Sequence, residues 1–144
     1  MYEVNTNDLK QCIKKHKFVW LHIWKPGCSG QNCTNLDFYT DMADKYKISD
    51  LEFYIISDSY EVEDAQKTIK GSRYDKPMMV LQDSWFGHDL RWINITLAYE
   101  LDNHLNLKKK YGYFDFLFRD SLLMFAGLSI NDSIIQSYVT PGPN

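Results

Sequence analysis

Residues 18–34, FVWLHIWKPGCSGQNCT, decide how this chain is read. Phe18 to Trp24 is a run of large apolar and aromatic residues broken only by His22, and Lys25-Pro26-Gly27 cuts it off. The run is too short for a helix and is bulky and partly β-branched, so it predicts a short buried strand. Pro-Gly continues neither a strand nor a helix. Cys28 follows at once, and a helical pattern begins there. A cysteine in the first turn of a helix meets unpaired backbone N–H groups and the positive end of the helix dipole, which favour the thiolate. This stretch is the candidate active site.

Working outward, 144 residues suffice to bury a core without staples, and one domain over residues 1–139 with a disordered tail at 140–144 is expected. Hydrophobic residues make up 44% and aromatics 15%, which predicts a core packed with rings. A net charge of −3 argues against nucleic acid as a partner, because that footprint needs a basic face. Lys108-Lys109-Lys110, before Tyr111-Gly112, reads as a solvated turn. No stretch approaches the ~20 apolar residues of a membrane span. Met1 to Lys15 does not read as a signal peptide. The compartment stays open: cytoplasmic for a complete chain, periplasmic or secreted for a mature fragment. Oligomeric state is open too.

Three cysteines do not make a disulfide framework. Cys12, with Leu9 and Ile13, reads as an inert packed thiol on an amphipathic helix. The Asn-x-Ser/Thr triplets at Asn32, Asn94 and Asn131 are short enough to arise by chance.

Along the chain, Asn7 to Lys17 predicts a helix capped by Asn7 or Asp8, with His16 on its apolar stripe. After the strand at 18–24, Cys28 to Lys47 reads as a long helix, and Leu51 to Ile56 as a second buried strand. Val62 to Ile69 is a helix stopped at Gly71. Met78 to Leu81, after Pro77, is a third strand, followed by a helix over Leu90 to Leu105. Tyr113 to Phe118 and Leu122 to Phe125 flank Arg119-Asp120-Ser121 and predict an antiparallel hairpin. Ser129 to Tyr138, capped by Ser129 or Asn131, closes the chain as a helix. Asp58-Ser59-Tyr60 and Asp83-Ser84-Trp85 read as turn and helix-cap chemistry. Alternating strands and helices, then a hairpin, imply a mixed sheet with helices on both faces.

This order, with a cysteine after the first core strand, resembles the thioredoxin superfamily. Trp24 stands four residues before Cys28, similar to the thioredoxin signature in which a tryptophan and three residues precede the nucleophilic cysteine. FDFLF-RDS-LLMFAGLS resembles the family's terminal hairpin, with a glycine leading into the last helix. The strand and helix from Pro77 to Leu105 are similar to the insertion of peroxiredoxins and cytochrome-maturation thioredoxins. The resemblance spans Phe18 to Tyr138. It implies a thioredoxin-like α/β fold: a three-layer α/β/α sandwich with a mixed central sheet, a C-terminal β-hairpin and a closing helix.

The cysteine spacing differs from thioredoxin, since Gln31 stands where the second cysteine would be and the next is Cys33. PGCSGQNC resembles the atypical peroxiredoxins with CxxxxC spacing, in which the first cysteine is peroxidatic and the second resolves. Lys25 and Leu21 occupy positions where those enzymes carry threonine and proline. The family's proline before the hairpin is absent at Tyr111-Gly112-Tyr113, and Pro77 starts an earlier strand.

The resemblance implies a thiol–disulfide oxidoreductase acting on protein or small-molecule thiols and disulfides, with Cys28 as nucleophile and Cys33 as resolving thiol. Lys25 and the flanking Gly27 and Gly30 favour a reactive Cys28; the plainer reading is a surface thiol. In an unbroken helix, residues five apart point ~140° apart and rise ~7.5 Å. A disulfide wants Cα atoms ~5.5 Å apart, so a Cys28–Cys33 bridge requires the first turn to unwind. Ser29-Gly30-Gln31-Asn32 is a poor helix former. The alternative is that Cys33 packs against the sheet.

His22 lies two residues before Trp24, where thioredoxins keep a buried carboxylate that takes the resolving thiol's proton. An imidazole can do that work; the plainer reading is a core histidine bonded to backbone. Trp24 is expected to cover the cysteine pair and exclude water. No cofactor is expected. Metal binding by Cys28, Cys33 and a histidine is disfavoured because no histidine has ligand spacing; His88 and His104 read as exposed. Two other functions remain open: a redox-silent binding module using Trp85-Phe86 and Trp92, and a peroxiredoxin-type peroxidase.

Overall fold

The computed structural model describes residues 2–25, 36–58, 62–87, 90–107 and 113–139. The elements in chain order are β1 (Tyr2–Val4), α1 (Thr6–Ile13), β2 (Phe18–Trp24), α2 (Leu36–Asp44), a 3-10 turn (Lys47–Ser49), β3 (Leu51–Ser57) and α3 (Val62–Lys70). They continue with β4 (Met79–Leu81), α4 (Asp83–Phe86), α5 (Leu90–Leu101), β5 (Asp115–Arg119), β6 (Leu122–Gly127) and α6 (Asp132–Tyr138). One six-stranded sheet runs in the order β1-β4-β3-β2-β5-β6. Its first four strands are mutually parallel, while β5 runs antiparallel to β2 and β6 antiparallel to β5.

All seven residues of β2 are buried. Covering both faces of a strand explains why its sequence is continuously apolar instead of alternating. Val19, Leu21 and Ile23 face one core with Leu9 and Ile13 of α1 and Ile93, Leu97 and Leu101 of α5. Phe18, Trp20 and Trp24 face the other, with Leu36, Tyr39 and Met42 of α2 and Ile135 of α6. The result is the expected three-layer α/β/α sandwich. The second core is a ring cluster: Trp20 lies 4.3 Å from Phe53 and 5.5 Å from Tyr39, centroid to centroid.

Several boundaries differ from the expectations, each for a local reason. The sequence reading has no counterpart of β1; three residues carry no periodic signal, and parallel pairing with β4 creates the strand. The cap of α1 is Asn5, neither Asn7 nor Asp8. Asn5 Oδ1 accepts the Asp8 N–H at 3.1 Å, and Asp8 returns the bond by accepting the Asn5 N–H at 2.9 Å. The helix ends at Ile13, not Lys17. Asp50 draws the chain away, accepting the Lys17 N–H at 2.7 Å and lying 2.8 Å from His16 Nδ1, so His16 leaves the helix stripe.

The long helix expected from Cys28 to Lys47 is described from Leu36 and stops at Asp44; Cys28 to Asn35 lie outside the described residues. The 3-10 turn then leads to Asp50, whose φ of 62° reverses the chain into β3. Helix α5 stops at Leu101, not Leu105. Asp102 collects the backbone N–H groups of His104 and Leu105, at 3.1 and 2.8 Å, and that of Leu107. Asp83 opens α4 without capping it, since Gln82 holds that position and its side chain makes no capping bond. Asn131 caps α6, accepting the Ile134 N–H at 2.9 Å.

The hairpin turn is Asp120-Ser121 alone. Both residues are left-handed, φ 50° and 68°, the geometry whose twist matches the flanking strands. Strand β5 starts at Asp115, two residues after the expected Tyr113, and β6 runs on to Gly127. The Lys108–Lys110 turn, Tyr111-Gly112, Ser59-Tyr60 and the 140–144 tail lie outside the described residues.

Candidate functional site

The site is built at the C-terminal end of β2. Asp58, just past β3, donates its backbone N–H to Trp24 O at 3.2 Å. On the other side Ile23 donates its N–H to Phe114 O at 2.7 Å, and Phe114 donates to Gly127 O at 2.9 Å. The chain just past β3 and the chain just before β5 thus hold the end of β2 from its two sides. Trp24 is buried in the ring-rich core, and Lys25 is exposed, its ammonium 5.6 Å from the Phe114 ring centre. Cys28 and Cys33 lie outside the described residues.

His22 sits two residues back on the same face as Trp24, because side chains alternate along a strand. Its ring is buried and stacks on Tyr39 of α2 at 4.2 Å between centroids. The ring meets a side chain instead of the expected backbone group: Nδ1 lies 2.8 Å from Asp115 Oδ1. The β2–β5 register sets His22 directly opposite Asp115. Trp20, one alternation earlier, donates its indole N–H to the same Oδ1 at 2.8 Å. Asp115 has 0% exposure, and its Oδ2 has no hydrogen-bond partner among the described residues. A buried carboxyl group is costly unless its polar atoms are matched.

Sequence reasoning missed Asp115. The signal was present in FDFLF, where a residue disfavoured in strands opens an otherwise apolar one. What was lacking was the register that aims it at His22.

The other candidates fall elsewhere. Phe86 is buried at 8% exposure, and Trp85, 44% exposed, donates its indole N–H to Glu100 at 2.9 Å. Of the residues the binding-module alternative names, Trp85 lies at the surface and Phe86 is packed in the core. The Trp92 side chain and His88 lie outside what is described, while His104 is exposed on the loop after α5. Cys12 is half-buried on α1, and burial pushes its thiol pKa up despite nearby Lys15. Among the described residues no three His, Cys, Asp or Glu side chains group as metal ligands, and no peptide bond is cis. No described helix is long and apolar enough to cross a membrane. A cavity of about 730 Å³, lined by Thr6, Lys10, Trp85 and Glu100 among others, is lined by neither His22 nor Trp24.

No protein-family model matches the sequence, and no curated protein matches it. Solved structures do match. The thioredoxin domain of a thiol-disulfide oxidoreductase from Bacteroides vulgatus superposes with a TM-score of 0.58 at 17% identity, covering 95% of this chain and 86% of that one. A thiol:disulfide interchange protein from Bacteroides sp. gives 0.57 at 16% identity, over 94% and 78% of the two chains. A thioredoxin-like protein from Bacteroides caccae gives 0.50 at 16% identity, over 85% of this chain and 39% of that one. Sheet order, hairpin and these superpositions agree: the chain has the thioredoxin-like fold.

Proposed function

We propose that this protein is a thiol–disulfide oxidoreductase acting on protein or small-molecule thiols and disulfides, with Cys28 as nucleophile and Cys33 as resolving thiol. The observation that carries the reading is the buried His22–Asp115 pair at the end of β2, six residues before Cys28 in sequence. A carboxylate and an imidazole are expensive to bury, and proton transfer beside a thiol site accounts for both. The fold, shared with thiol-disulfide oxidoreductases, supports the same reading. Residues 1–139 act as one unit, which fits β1 and β6 belonging to a single sheet.

In reduction of a substrate disulfide, the Cys28 thiolate attacks one sulfur, forming a mixed disulfide and releasing the first thiol. Cys33 then attacks Cys28 sulfur, the bond to substrate breaks, and the second thiol leaves. The protein ends as the Cys28–Cys33 disulfide, two electrons having passed to the substrate. Lys25 favours the Cys28 thiolate by its charge, and Trp24 screens the pair from water. His22 exchanges the proton of Cys33.

Free thiols are counted in the reduced chain before and after mild peroxide, with Cys28→Ser and Cys33→Ser alongside. The proposal expects loss of two thiols in the parent, none of that loss in either variant, and recovery with a dithiol. Loss of no thiols makes the chain a redox-silent module. Rapid peroxide turnover with the same bridge makes it a peroxidase.

A further inference from the structure

We propose that the cleft between α1, α4 and the C-terminal end of α5 binds a neutral saccharide. The site makes no use of Cys28 or Cys33 and stands whether or not they form a disulfide.

The cleft holds about 730 Å³, inside the range of small-molecule sites. Hydrogen bonds fix both of its walls. On the helix side, Trp85 of α4 donates its indole N–H to Glu100 Oε2 of α5 at 2.9 Å, and the Thr6 hydroxyl of α1 donates to the same oxygen. Three helices thus meet at one carboxyl group. The other wall is the loop after α5, where Asp102 accepts the backbone N–H groups of His104, Leu105 and Leu107. Asn103 fastens that loop to the hairpin, donating to Ser121 O at 2.9 Å and accepting the Leu123 N–H at 3.0 Å. Walls fixed in advance spare a ligand the entropy of ordering them.

The lining sets the class of ligand. Trp85 and Tyr99 both line the cleft and are 44% and 60% exposed. The bond from its N–H to Glu100 sets the tilt of the indole, and the ring is a flat apolar surface that the C–H face of a sugar covers. Near these rings stand groups of both charges. Lys10 supplies N–H donors, and Glu100, whose two bonds fall on Oε2, has its second oxygen as an acceptor. An anion such as a phosphate meets Glu100 and Asp102, and a cation meets Lys10. A neutral ligand rimmed with hydroxyls avoids both penalties and satisfies both kinds of group. Peptides fit less well: an extended one adds to a strand edge, and a helical one needs an apolar groove. Among the described residues this cleft is lined by helices and a loop, mostly with polar side chains.

Titration of the nitrogen-15-labelled full chain tests the proposal. The saccharide probes are cellobiose, maltose and N,N′-diacetylchitobiose; inorganic phosphate, tetramethylammonium and tetraglycine represent the other classes. The expected result is a saturable shift of the Trp85 indole signal and the His104 and Leu105 amides with at least one saccharide, while the Trp20 indole stays in place. Trp85→Ala is expected to weaken that binding ~10-fold or more, the scale of losing one buried aromatic face. Tyr99→Ala, at an exposed helix position, is expected to weaken it too, and decides the matter if Trp85→Ala fails to fold. The proposal is overturned if no saccharide moves the Trp85 signal at millimolar concentration, or if only phosphate, tetramethylammonium or tetraglycine does. A saccharide response of unchanged strength in the folded variants overturns it as well. Thiol oxidation is not part of this measurement, so failure here leaves the oxidoreductase proposal standing.

Discussion

Trp20 and Asp115 lie 95 residues apart in sequence, yet the indole N–H of one is bonded at 2.8 Å to the carboxylate of the other. That bond puts a carboxyl group beside the ring cluster of Trp20, Tyr39 and Phe53. The contact also binds β5 to β2 through side chains as well as backbone, because the two strands are antiparallel neighbours.

Removing the carboxyl group alone strands the buried Trp20 Nε1 donor and leaves His22 Nδ1 without this partner. Asp115→Leu is expected to cost about 3–5 kcal/mol, the scale of breaking one partner out of a buried polar network. Replacing the whole network, with Asp115→Leu, His22→Leu and Trp20→Phe together, is expected to cost less than the single change, because no orphan donor remains. Urea denaturation of the two proteins measures this. A triple variant less stable than the single one would count against a network held together by mutual satisfaction.

The hairpin turn carries avoidable strain. Ser121 holds φ 68° with a side chain attached. Its carbonyl accepts from Asn103 Nδ2 at 2.9 Å, a bond that glycine retains. Ser121→Gly, preferably with Asp120→Asn, should therefore stabilise the chain by about 1 kcal/mol, the order of the left-handed penalty removed. Thermal denaturation reports it as a higher midpoint; a lower one would mean the serine side chain contributes more than its backbone costs.

Asp50 ties the exit of α1 to the start of β3. The Lys17 backbone N–H, and then the His16 ring, hold its carboxyl below the ordinary carboxylate range. A carboxyl whose folded pKa is depressed contributes stability above its unfolded value, about 4, and loses it as pH falls through the lower folded value. The stability gap between the parent and Asp50→Asn should thus be open at neutral pH and close below about pH 4. Asparagine tolerates the φ of 62°, so backbone strain does not confuse the comparison. Urea midpoints at several pH values check it, and a gap that does not vary with pH refutes it.

Much of the architecture was readable before any coordinates. Phe18–Trp24 was delimited to the residue, because a strand buried on both faces is a continuous apolar run and Pro-Gly marks its end. Strands around 51–57 and 79–81 and the hairpin were legible for the same reason. Helix ends were not. Asn5 outcompeted Asn7 as a cap, and Asp50 and Asp102 stopped helices by bonding backbone groups that periodicity does not register. β1 was invisible because a three-residue edge strand owes its existence to its neighbour.

By itself the sequence determined the layers: which segments are apolar enough to be covered on both faces, where glycine and proline interrupt them, and that a cysteine follows the central strand. Those are local properties, set by side-chain chemistry along a few residues. Tertiary structure alone decided that His22 faces Asp115 and that Trp20 shares the same oxygen. A strand pairing shifted by one residue would have sent Asp115 to the opposite core, and nothing within either strand specifies which residue of the other it will meet.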